Sequence, residues 1–169
     1  MAVTATVAQG VTGSQTSALD LGTVTFPFSA AAGVSYSSGT AAGQCDMVFT
    51  DTRTLSASGT EDIDLAGSLT GALGNTLTFA RIKAVHVSAA SGNTNSVQVT
   101  RPASNGVPWL MAAGDGIALR PGAAVTWASG TGDSTGVAVT AGTGDLITIT
   151  NSAGTTGVTY NIVVLGCSA

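Results

Sequence analysis

The chain has 169 residues, of which 8% are charged, with a formal net charge of −4. That length holds about one domain with a sizeable core, and 44% apolar residues exclude a disordered chain, which combines low hydrophobicity with high net charge. An acidic balance with only five cations also excludes the basic stripe that phosphate neutralisation requires, so no nucleic-acid partner is expected.

The opening MAVTATVAQG has neither the charged region nor the apolar run of a secretion signal, and no later run approaches the ~18 apolar residues of a membrane helix. A soluble protein with no membrane partner, not exported by that route, is the expectation. Helical periodicity is almost absent. β-Branched residues instead alternate with polar ones in short runs closed by Gly, Asn, Asp or Ser, which reads as strands. The first such run is Ala18–Phe26. Residues 29–44, SAAAGVSYSSGTAAGQ, lack sustained alternation and predict a long loop or linker that orders through contact with another subunit. The chain therefore divides into an N-terminal segment, residues 1–43, of strand and flexible small-residue chain with the character of an inter-subunit arm, and a β-sandwich body over residues 44–169.

Asp46–Ser56 and Glu61–Leu65 are the next strands. In TEDIDL, Glu61, Asp62 and Asp64 have the composition of an acid pair or a hard-cation site. A strand, however, sets Asp62 and Asp64 on one face and Ile63 and Leu65 on the other, the pattern of a solvated face, and no histidine or nucleophile is near in sequence. Residues 66–76 carry Leu69 and Leu73 at i, i+4 spacing, which predicts one short helical turn over the end of the body.

The strand Phe79–Ser88 contains FARIKAVHV, which holds two of the five cations and the single histidine, His86. Strict alternation places Phe79, Arg81, Lys83, Val85 and Val87 on one face, mixing two cations with three apolar residues. Two arrangements resolve the conflict. In one, a bulge near Lys83 or Ala84 shifts the phase, burying Ile82, Val85 and Val87 and leaving Arg81 and Lys83 in solvent. In the other, the strand leaves the core midway and lays its cations on a partner. Arg53, Arg81 and Lys83 are accordingly the candidate partner-interface residues, suited to docking on an acidic neighbour.

The remaining strands are Ser96–Thr100, Gly116–Leu119, Ala124–Ala128, Gly136–Thr140, Leu146–Thr150 and Val158–Leu165. Trp109 and Trp127 serve either as core anchors or as the aromatic platform of a sugar groove; with eight aromatics in the chain, the core is the more economical use. Asp115, Asp133 and Asp145 lie in Gly-rich turns. Calcium asks for about six to eight oxygens, whereas each turn offers one carboxylate and Asp beside Gly is ordinary turn chemistry, so no metal site is expected. SGTGD from Ser129, AGTGD from Ala141 and AGTTG from Ala153 recur every twelve residues and describe a strand-turn meander. LITIT sets Ile147 and Ile149 against Thr148 and Thr150, and NIVVLG, continuously apolar, reads as a central strand.

Catalytic chemistry fails on inventory. There is one histidine, no GxSxG elbow, no GxxxxGK[ST] and no GxGxxG before a helix, so no catalytic residue and no cofactor is expected and the chain does not read as an enzyme. Cys45 and Cys167 show no metal-type spacing and read as reduced buried thiols. The fold class that follows is all-β: a single-domain β-sandwich, jelly-roll-like, of about 8–10 strands.

From Gly43 onward, GQCDMVFTDTRTLSASGTEDIDLAGSLTGALGNTLTFARIKAVHVSAASGNTNSV resembles a group of small structural proteins of tailed bacteriophages and prophages, which carry DTRTL, DLDLAG, TLTFARIKAL and GNTN in the same order. The likeness continues through LRPGAAVTWASGTGD and VAVTAGTGDLITIT to the final YNIVVLGCSA, and spans about residues 44–169. Cys45 stands where the group often has a small residue, and residues 1–43 match only loosely. The resemblance implies a virion component assembled in the host cytoplasm, a capsid decoration or cement protein that sits on the outer surface of the head and stabilises it. It implies as partners the major capsid protein of the same phage and further copies of the chain, as a homo-oligomer, a trimer above all. The alternative is a tail- or fibre-associated structural or glycan-binding module.

Overall fold

The computed structural model describes residues 2–67 and 69–169. The alternating runs form fourteen strands: β1 Ala5–Leu19, β2 Gly22–Ser38, β3 Gln44–Cys45, β4 Met47–Leu55, β5 Thr60–Asp64, β6 Leu69–Thr70, β7 Thr76–Leu77, β8 Arg81–Ala89, β9 Val97–Thr100, β10 Gly116–Leu119, β11 Ala124–Ala128, β12 Val137–Ala138, β13 Leu146–Asn151 and β14 Val158–Cys167. Among the described residues there is no helix, and so none long and apolar enough to cross a membrane.

The body is a sandwich of two antiparallel sheets, one in the order β10-β9-β13-β5 and the other β11-β8-β14-β4, with β12 continuing beside β8. Alternation explains the core between them. Ile147 and Ile149 of β13 are buried while Thr148 and Thr150 of the same strand are half-exposed, and Val97 and Val99 of β9 and Ile63 of β5 join the same inner layer. The opposing layer comes from Val85 and Val87 of β8 and from Tyr160, Ile162 and Val164 of β14.

β14 is apolar on both faces because both are covered. Ile162 and Val164 point into the sandwich, whereas Leu165 and Val163 belong to a second, smaller cluster on the other side of the sheet, with Val3, Tyr36, Cys45 and Ala84. That second cluster is the root of a long antiparallel hairpin, β1 with β2, whose register runs unbroken from Ala5 opposite Tyr36 to Leu19 opposite Gly22. The root lies on the outer face of the five-stranded sheet. The distal part runs beyond it and is exposed throughout.

The phase conflict in FARIKAVHV is resolved by a bulge. Along β14, Leu165 faces Ala84 and the next residue, Gly166, faces Ile82, so Lys83 is the unpaired extra residue. Ile82, Val85 and Val87 are thereby all buried, as that arrangement requires. Gly166 permits the step: a Cβ there would run into the Arg81 carbonyl and the Phe79 ring.

Three sequence expectations are corrected. The strand expected over Ala18–Phe26 is broken by the hairpin turn at Asp20 and Leu21, an Asp-Leu pair without the Asn-Gly or Asp-Gly signature of tight hairpins. Residues 29–38, expected as loop, continue β2, because Ala30, Ala32, Val34 and Tyr36 do alternate with Ser29, Ala31, Gly33 and Ser35, only with little contrast in size or polarity. Among the described residues of 66–76 there is no helical turn; Leu69 and Leu77 are instead the buried pair of a small β6–β7 hairpin, and Leu73 lies exposed at its tip.

Candidate functional site

Lys83 organises the junction between body and hairpin. The bulge carries its side chain under the loop joining β11 to β12, where none of its surface is exposed and its Nζ donates to the Asp133 carbonyl oxygen at 2.7 Å. The loop holds its shape through the Asp133 carboxylate, whose Oδ1 accepts from the backbone N–H groups of Thr135 and Gly136 at 2.8 and 2.9 Å and from the Thr135 hydroxyl. These bonds, Gly136 first, hold that carboxyl below the ordinary carboxylate range. Gly136 is required at the loop's end, with φ +62° and the Ile82 carbonyl against the place a Cβ would take.

Tyr36 of the hairpin closes the junction from the other side. Its hydroxyl donates to the carbonyl oxygens of Ser129 and Lys83, and burial pushes its pKa upward. Hairpin, bulge and loop therefore share one hydrogen-bonded knot.

Beside the root runs a groove of about 440 Å³ between β1 and the outer face of the sheet, walled by Val48, Ala84, Val163 and Leu165 and by Thr4 and Thr6. His86 lies in it, with Nδ1 2.7 Å from the Thr126 hydroxyl. No acid is among the groove's lining residues, so the imidazole has a hydroxyl as its neighbour and no carboxylate to orient it.

Past the root the hairpin sorts into two unlike faces, because paired residues of a ribbon share a face. Thr6 opposite Ser35, Thr12 opposite Ser29 and Thr16 opposite Thr25 make one face a hydroxyl surface. The other continues the face that buries Tyr36 and Val34, and carries Val11, Leu19, Val24, Phe26 and Phe28, all exposed; Phe26 and Phe28 are 66% and 47% exposed.

The three cations expected at a partner interface are committed within the chain. Arg53 pairs with Asp51 at 2.9 Å and Glu61 at 2.6 Å and lies 5.6 Å from the Phe49 ring centroid. Burial works against its charge, but the hydrogen bonds to Glu61 and Asp51 outweigh that and raise its pKa. Half-buried Arg81 donates to the Thr40 carbonyl. Lys83 is wholly buried, which corrects the expectation that the bulge leaves it in solvent.

The acids are spent likewise. Glu61 accepts from the Tyr160 hydroxyl at 2.7 Å, and burial and then Glu61 push that phenol's pKa up. Asp62 accepts from Thr148 and Asp64 from the Ala66 N–H, while Asp115 and Asp145 close their own turns on Ala112 and Gly142. Among the described residues no group of three or more His, Cys, Asp and Glu is placed to hold a metal. Trp109 is buried in the core and Trp127, half-buried, packs against it. Cys45 and Cys167 are free and buried, and burial, then Cys167, lifts the Cys45 thiol to about 11.

The surface that the residues alone did not mark is the exposed apolar face of the hairpin. Its signal was available in VTFPFSAAAGVSY, where Val24, Phe26, Phe28, Ala30, Ala32, Val34 and Tyr36 alternate strictly. Comparison with protein-family models, with curated proteins and with solved structures returns no match.

Proposed function

We propose that the chain is a structural protein of a phage particle, a decoration protein that binds the outer surface of the head and stabilises it. Its partners are the major capsid protein and its own copies, and it carries out no catalysis. The particle is inferred from the resemblance over residues 44–169. The manner of attachment is inferred from one observation: a rigid, low-charge sandwich extends a hairpin whose apolar face outruns the body that buries its root. A folded unit that presents an apolar strip, and most of whose charged groups are hydrogen-bonded within the chain, is suited to repeated contact in an assembly, where many small interfaces add through avidity.

Purified heads stripped of the protein test this. Added back, the chain is expected to co-sediment with heads to saturation and to raise the temperature at which they release DNA, and a chain with residues 10–31 replaced by Asn-Gly is expected to do neither. Binding to purified tails instead of heads moves the chain to the tail; no binding to either defeats the reading.

A further inference from the structure

The hairpin's apolar face repeats the pattern of a core strand for some ten residues beyond the point at which the body supplies a core. Gln9 is the last residue of β1 on this face to reach the body, its Nε2 donating to the Thr126 carbonyl at 3.0 Å. From Val11 to Leu19 the strip is about 30 Å long and 10 Å wide by strand geometry, on the order of 300 Å² in projection. That is the size of the largest apolar patch on a typical monomer, about 300–600 Å² and often functional.

Three features of the strip identify what covers it. First, it is uncharged: between Ala2 and Cys45 the single charged side chain is Asp20, at the turn. A partner recognised through charge finds nothing here to pair with. Second, each cross-strand pair couples a large residue with a small or slender one: Phe28 opposite Gly13, Phe26 opposite Gln15, Val24 opposite Ser17. The Phe28 ring lies over Gly13, where a Cβ would strike it. The row of Phe28, Phe26 and Val24 along β2 is thus the strip's apolar ridge, and a second strip turned about a two-fold axis presents the same ridge in return. Third, two-stranded ribbons twist strongly and with a fixed hand, so the surface that follows this strip along its length is another ribbon of the same hand. A bilayer fits less well, because Gly13, Gln15 and Ser17 interrupt the apolar band and no Trp or Tyr borders it near the tip.

We infer that copies of this chain associate by packing the apolar strips of their hairpins against one another. This deepens the reading of the hairpin as the assembly surface and rests on it, but does not depend on the particle being a phage head. Two facing strips remove about 600 Å² from water in projection, less than the ~1,600 Å² of a standard stable interface. The association is therefore concentration-dependent.

Sedimentation velocity of the full chain over a roughly hundredfold concentration range tests it. The chain is expected to pass from monomer to a discrete oligomer. The double variant Phe26→Ser, Phe28→Ser is expected to associate about 30-fold more weakly or worse, as loss of two central aromatic anchors implies. Its melting temperature should be unchanged, since neither ring belongs to a core cluster. A short bis-maleimide should join copies of Ser17→Cys, on the strip, and not copies of Ser14→Cys, on the hydroxyl face. A wild-type chain that stays monomeric at the highest concentration, or equal cross-linking of the two cysteine variants, overturns the assignment. So does flotation of the wild-type monomer with phosphatidylcholine–phosphatidylglycerol vesicles that the double variant abolishes. Heads that bind a monomeric wild type and not the double variant would put the shell protein on the strip; that overturns strip-to-strip packing and leaves the particle reading standing.

Discussion

An ammonium taken wholly out of water costs several kcal/mol unless it is well paired, and Lys83 has exchanged its water for the Asp133 carbonyl at 2.7 Å with no carboxylate within ion-pair distance. The side chain lies wholly buried beneath the loop, and its charge also helps to hold the Asp133 carboxyl low. Lys83→Met keeps the volume and is expected to leave stability within about 1 kcal/mol of wild type or to raise it. Lys83→Glu places an unpaired anion beside carbonyl oxygens and is expected to destabilise by about 3 kcal/mol or more, read by urea denaturation. The position of the bulge was legible in FARIKAVHV, because only a slipped phase buries Ile82 together with Val85 and Val87. The fate of Lys83 was not, because the groups that cover it, Tyr36 and the loop at Asp133, lie about fifty residues away on either side and nothing local announces them.

At the scale of elements, the β11–β12 loop and the hairpin root depend on each other through Ser129, Tyr36 and Lys83. The Asp133 carboxylate is the loop's internal brace, and its depressed pKa fixes how acid acts on it. A carboxyl that is more acidic folded than unfolded contributes stability fully above its unfolded value of about 3.9 and loses it as pH falls through the lower folded value. The melting-temperature gap between wild type and Asp133→Ala is therefore expected to be constant above about pH 5 and to narrow below about pH 4. A gap that widens on acidification would assign the brace to another group. The strands of the body were legible because LITIT and NIVVLG write their burial in alternation or its absence. The hairpin was not, since its turn interrupts the apolar run LDLG and the contrast along β2 is between Ala and Ser. Small residues carry weak periodicity even where they alternate in space.

The whole molecule divides into a body that holds itself together and a ribbon that does not. Joining Gln9 to Ala32, which face each other across the hairpin, through Asn-Gly in place of residues 10–31 is expected to leave thermal stability within about 1 kcal/mol, because the excised part touches neither core cluster. A larger loss would make the distal ribbon part of the body's folding unit. The order of the strands adds a consequence in time. β13 and β14, which stand at the middle of the two sheets, are the last strands of the chain, whereas β1 and β2 are the first and pair with each other alone over most of their length. Long-range sheets close slowly and local hairpins within microseconds. A chain emerging from the ribosome thus displays its apolar strip while the sheets behind it still lack their central strands.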